Sequence, residues 1–336
     1  MQRMKSAWAT LVVALASSLW GCATDSTSSP GAGEIRARAA AVFGTVTAVT
    51  AAEVAAPAAA LGRALFWDTR LSLDGKTACA SCHPREAWSA DTRRVSINAK
   101  GEATTLHSQP MFMAQEQTVL RWYGDRADGA QQAERSISGS MGMPSPAAIA
   151  PLLRNFGYQA AFARAFSSDA DPVQPANYAK ALAAYQRTLR TPANFDAFLL
   201  GDDSALSRQQ LAGLEKFVAN GCSGCHNGAL LGGNSLQKFG LVKDYWLATG
   251  STTIDLGRFN VTKKEEDRYV FRVPMLRNIS KTAPYFHDGS VATLDAAVRV
   301  MADVQLGRQL PDADVADIVA FLGSLTGPIP NHYAAP

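Results

Sequence analysis

Apolar residues recur at spacings of three and four in six stretches of the chain, and strict alternation is rare. This pattern predicts helices with few, short strands. One helix begins near Glu53 and turns Leu61, Leu65 and Phe66 inward. A second opens at Ser145 and presents Ile149, Leu152 and Leu153, and a third runs from Ala179 to Leu189. Ser207-Arg208-Gln209-Gln210 reads as a capping box. It starts a helix with Leu211, Leu214, Phe217 and Val218 on one face and Gly221 as its stop. Thr293 caps a helix ending near Met301, and Pro311-Asp312 opens a last one with Val315, Ile318, Val319 and Leu322 inward. The predicted fold class is all-α, with long loops.

The N-terminus follows a different pattern. A positive head (Arg3, Lys5) and an apolar stretch from Trp8 to Leu19 end in Leu19-Trp20-Gly21-Cys22. Residues 1–21 read as a secretory leader closed by a lipobox-like tetrad. That makes Cys22 an acylated N-terminus and places the protein in the periplasm, anchored to the outer membrane. Ala23 at the next position favours that destination. An ordinary leader with an incidental cysteine is the alternative. The apolar run is too short to span a bilayer, so the membrane is met only through the lipid. Residues 22–52 open on a small, polar run and read as a flexible tether. The chain carries 32 Lys and Arg against 29 Asp and Glu, a net +3. Arg3 and Lys5 leave with the leader. So balanced a charge does not suit nucleic acid or an electrostatic membrane partner.

The candidate chemistry lies in the cysteines. There are five, and Cys22 accounts for one. The other four form two pentads, Cys79-Ala80-Ser81-Cys82-His83 and Cys222-Ser223-Gly224-Cys225-His226. This is the spacing of c-type haem attachment. Two thiols bond the haem vinyl groups and the histidine reaches the iron. One copy would leave a thioredoxin-like pair open; two copies, both with the histidine, argue against zinc or disulfide. The expectation is two covalently bound haem c groups, ligated by His83 and His226. The pentads stand 143 positions apart, so each takes its own domain. The domains are 53–190 and 191–336, divided at Arg190-Thr191-Pro192, where a helix must stop before proline.

The second axial ligands decide the chemistry. For the second haem Met301, at a helix edge, is the preferred candidate; Met275 and His287 compete with it. For the first, His107 is the only nearby histidine, and Met111, Met113, Met141 and Met143 are also within reach along the chain.

Ordered runs of residues carry a resemblance. They are Leu61-Gly62-Arg63, Leu65-Phe66-Trp67-Asp68, Arg70-Leu71-Ser72 and Trp122-Tyr123-Gly124-Asp125-Arg126-Ala127 in the first half. In the second half they are Phe239-Gly240-Leu241-Val242, Gly257-Arg258-Phe259, Tyr269-Val270-Phe271-Arg272, Leu276-Arg277-Asn278, Thr282-Ala283-Pro284-Tyr285-Phe286-His287, Val300-Met301 and Gln305-Leu306-Gly307. Over roughly residues 60–327 the chain resembles the bacterial diheme cytochrome c peroxidases. The resemblance implies two cytochrome c-like haem domains packed across an interdomain interface. It implies reduction of hydrogen peroxide at the first haem, with electrons from a small cytochrome or copper protein entering at the second. It also implies a homodimer. Met301 falls on the distal ligand of the electron-accepting haem, where related methylamine-utilisation enzymes carry tyrosine. The family's inter-haem tryptophan aligns with Tyr123, next to Trp122.

Three positions depart from the family. Asn98 or Ala99 stands where a removable distal histidine is expected. His107 replaces an asparagine that helps bind an interdomain calcium, although the carbonyls of Thr282 and Pro284 match its other contacts. The peroxide-pocket glutamate is missing from Ser138–Pro144, where Ser140 takes its place and Glu134 is the nearest candidate substitute. These departures keep two alternatives open. One is a diheme electron carrier with both irons saturated. The other is a diheme oxidase that modifies a partner protein, against which Met301 stands.

Overall fold

The computed structural model describes residues 30–336. The leader, Cys22 and the start of the tether lie outside the described residues. Residues 32–336 gather into one compact unit with several hydrophobic cores. Helices dominate. The sheet consists of two short antiparallel strands, β1 (Leu236–Lys238) and β2 (Val270–Arg272), with Leu236 opposite Arg272.

Each half repeats one helix crossing. In the first, Pro57–Trp67 packs on Pro175–Arg187. A side chain at Gly62 would sit 1.9 Å from the Ala181 carbonyl, so only glycine permits the approach. In the second, Arg208–Ala219 packs on Asp312–Gly323, and a side chain at Gly213 would sit 1.9 Å from the Asp317 carbonyl. Close backbone contact at a glycine is what the residue's missing Cβ allows. The Ser207 capping box forms as predicted, and Thr293 caps Leu294–Leu306. That helix runs past Met301 by one and a half turns, to the left-handed cap Gly307.

The ends of the chain depart from expectation. Residues 32–52 include no free tether. Ala32–Ala40 is a helix, and Ile35, Ala39 and Phe43 are buried against Phe195, Phe217 and Phe321 of the second core. Apolar spacing outweighs the small-residue composition here. A buried ion pair fixes this strap: Arg277 donates to both oxygens of Asp196 at 2.5 and 2.9 Å, and the Val46 N–H donates to the same carboxylate.

The C-terminal tail crosses the other way. Tyr333 is fully buried in the first core, edge-on to Phe112 at 4.8 Å. Its hydroxyl donates to the His83 carbonyl at 2.5 Å. Arg63 and Arg85 hold carbonyls of residues 330–335. The 191–336 segment therefore does not stay within its own half. Tyr333→Ala should lower stability by about 3–5 kcal/mol, the usual cost of removing a buried aromatic ring. Denaturant unfolding checks this; an unchanged midpoint would show that the tail does not hold the first core.

Candidate haem sites

The fold places each pentad against a large cavity. The second-pentad cavity measures about 220 Å³ and the first about 340 Å³.

Cys79–Cys82 forms one short helical turn and His83 ends it. The His83 Nδ1 lies 2.8 Å from the Ser89 carbonyl. A carbonyl can only accept, so Nδ1 carries the hydrogen and Nε2 keeps its lone pair. His226 repeats the arrangement, with Nδ1 3.0 Å from the Leu231 carbonyl. Orienting a ligating histidine through its other nitrogen is the usual support for a metal-bound imidazole. Burial lowers the pKa of both rings, which keeps them neutral. Burial also pushes Cys79 up to about 12 and Cys222 up to about 11, so neither is a thiolate at neutral pH.

The second cavity is apolar. Met301 shares one wall with Leu294, Ala297 and Val298 from the same helix. Met275 and His287 also line this cavity. Met275 packs with Val46, Met113 and Leu230, and the neighbouring Pro274 carbonyl faces His226. Met275 thus belongs to the proximal wall. His287 stacks on Phe271 with ring centroids 4.4 Å apart, and its Nε2 is buried without a partner.

The first cavity is more polar. Ser140, Met111 and Met141 line it, as do Asn98, Ala99's neighbour in the loop, and His107. Met113 and Met143 lie elsewhere, in core clusters. Glu134 is not on the wall, and none of the described lining residues is Asp or Glu. Arg126 and Gln132 are on it; the Arg126 Nε and Gln132 Oε1 are buried without partners. Gln132 was not singled out in the sequence. It sits on Gly129–Ser138, a helix that the apolar pattern missed.

His107 lines both cavities. Its Nδ1 faces the Arg93 carbonyl at 3.2 Å, and its N–H donates to the His287 carbonyl at 2.7 Å. Trp122 and Tyr123 are placed differently in the fold. Trp122 lines both cavities and its Nε1 donates to the His107 carbonyl at 2.9 Å. Tyr123 lines neither; its hydroxyl donates to Asp255 at 2.6 Å, and burial with that hydrogen bond raises its pKa. Thr282 and Pro284 lie on the second-cavity wall with His107. Among the described residues no group of three or more His, Cys, Asp or Glu converges as a metal site, and no helix is long and apolar enough to cross a membrane.

Two attachment pentads, each with an oriented histidine and a cavity, define a protein that carries two haem c groups. A family model described as di-haem cytochrome c peroxidase matches residues 56–204. A cytochrome c551 peroxidase of Pseudomonas aeruginosa is 42% identical over 81% of this chain and 79% of its own. One of Nitrosomonas europaea is 38% identical over 81% of each chain. The chain belongs to the di-haem cytochrome c peroxidase family. Among solved structures, a MauG-like protein associated with microbial copper homeostasis superposes with a TM-score of 0.72 at 26% identity. That match covers 88% of this chain and 95% of the other.

Proposed function

We infer that the protein is a cytochrome c peroxidase: hydrogen peroxide, two protons and two electrons become two waters, and a small redox protein supplies the electrons. The observation that carries this reading is the pair of oriented histidines, each facing a separate cavity, in a chain 42% identical to a named peroxidase. The haems supply two redox-active irons, enough to hold both electrons. The chain's own residues do the rest. His83 and His226 are the proximal ligands, and Met301 is the distal ligand at the second site. Peroxide enters the first cavity beside Ser140, Gln132 and Arg126. Trp122 stands between the sites, against both cavities. The repeated glycine crossing at Gly62 and Gly213 supports two cytochrome c-like domains.

Peroxide consumption should oxidise two equivalents of a reduced donor cytochrome per peroxide. Consumption without donor oxidation, or donor oxidation without peroxide loss, contradicts the proposal. One observation favours a second reading, a diheme electron carrier: the described wall of the first cavity has no carboxylate to move a proton.

The location is also our proposal. Cys22 is lipidated and holds the protein at the outer membrane, facing the periplasm. Cys22→Ser should move it from the membrane to the soluble periplasmic fraction. Equal partition of both forms would contradict this.

A further inference from the structure

Two arginines of the described structure are almost fully buried in the second half, and they are treated differently. Arg277 is 0% exposed and pairs through two nitrogens with the Asp196 carboxylate. Arg272 is 2% exposed. Its Nε donates to the Arg121 carbonyl at 3.1 Å, and its Nη1 donates to Gln117 Oε1 and the Val273 carbonyl. All of these acceptors are uncharged. The arginines around it do have carboxylates: Arg121 and Arg126 share Asp125, and Arg258 has Asp267. Arg272 makes no ion pair among the described residues. Burial alone pushes its pKa down, to about 10, with no neighbouring charge pulling it back. It still carries a full charge at neutral pH.

A buried charge without a counter-ion is costly, and proteins rarely keep one. Arg272 lies where both cavities meet. It ends β2, its N–H donates to the Trp122 carbonyl at 2.7 Å, and it lines both cavities. Few residues share both walls. His107, Gln109, Pro110, Gln117 and Trp122 are the others, and none of them bears a fixed charge. The guanidinium thus stands at the partition between the two sites, with Nη2 free of any described partner. A haem brings carboxylates into such a cavity. A planar guanidinium fork is the side chain best matched to a carboxylate.

We propose that Arg272 is the counter-ion of a haem carboxylate at the partition, and that its charge raises the reduction potentials of both haems. The proposal rests on the two-haem reading above. The electrostatics follow from the sign of the charge. Reduction adds an electron to an iron, so a nearby positive charge at low dielectric favours the reduced form. Because one charge faces both cavities, its removal moves both potentials in the same direction. Arg272 is a cofactor-binding residue in this account, not a proton donor.

The test uses the holoprotein with both haems attached, counted first by covalently retained pigment. The midpoint potentials of both haems are then followed spectroscopically in wild type, Arg272→Met and Arg272→Lys. Arg272→Met should lower both potentials, and Arg272→Lys should recover most of the loss because it keeps the charge. Unchanged potentials in a fully loaded Arg272→Met protein would overturn the proposal. Should the methionine variant not assemble, the lysine variant decides. Its propionate bending bands in the resonance Raman spectrum should shift, because a fork has become a point charge; unshifted bands overturn the proposal. Wild-type protein with fewer than two retained haems would instead sink the two-haem reading, and the pigment count alone shows that.

Discussion

Ser140→Glu should raise the rate of peroxide reduction by about 10²–10⁴-fold, the range that a positioned general acid–base group contributes. Splitting the O–O bond requires a proton to move from one peroxide oxygen to the other. The first cavity is poorly equipped for that. None of its described lining residues is Asp or Glu, and Glu134 is not on the wall. Arginine does not release its proton in this range, so Arg121, Arg126, Arg135 and Arg272 cannot serve, and His107 already engages the Arg93 carbonyl through Nδ1. Ser140 lines the cavity and its carbonyl is held by the Ala99 N–H at 2.9 Å, which fixes the backbone there. A serine hydroxyl with no base beside it donates a hydrogen bond but takes up no proton. Stopped-flow peroxide reduction by wild type and variant measures the difference. A variant no faster than wild type, with its haem spectra intact, would show that another group already moves the proton.

Met301→His should markedly lower the potential of the second haem and abolish its weak far-red band. A thioether stabilises ferrous iron more than an imidazole does. The structure supports Met301 over its rivals. It projects from the Leu294–Leu306 helix into the second-pentad cavity, beside Leu294, Ala297 and Val298. Met275 is packed on the His226 side, and His287 is stacked on Phe271. Electron entry slows with the lowered potential, so turnover with a donor cytochrome should fall as well. Optical redox titration checks both effects. A far-red band that survives the substitution would show that Met301 is not the ligand.

The chemistry of this chain is written locally, and its supports are not. The pentads, the Ser207 capping box and the Thr293 cap are contiguous signals, and each stands where the sequence places it. Gly129–Ser138 was missed because its apolar face is thin. Ala130, Ala133 and Ile137 were the available signal, with Asp128 as a cap accepting from the Gln131 N–H. The strap through Ile35, Ala39 and Phe43 was masked by a small-residue composition. Tyr333 gave no local sign of its partner, 250 positions away at His83. The different placements of Trp122 and Tyr123 are invisible in the sequence for a related reason. Adjacent residues face apart, and only the folded chain shows which one lies between the cavities. The charge of Arg272 was likewise unreadable, because solvation depends on what closes over it.

Electron paramagnetic resonance of the half-reduced protein tests the central claim most directly. With one electron added, the second haem should lose its ferric signal. The first should then show a high-spin signal, or convert to one on loss of a weak ligand, and that signal should change when peroxide is added. This is the result expected of an iron that opens to substrate. A first haem that stays low-spin in both redox states, with a signal unaffected by peroxide, would contradict the peroxidase account and leave the chain as a carrier of electrons.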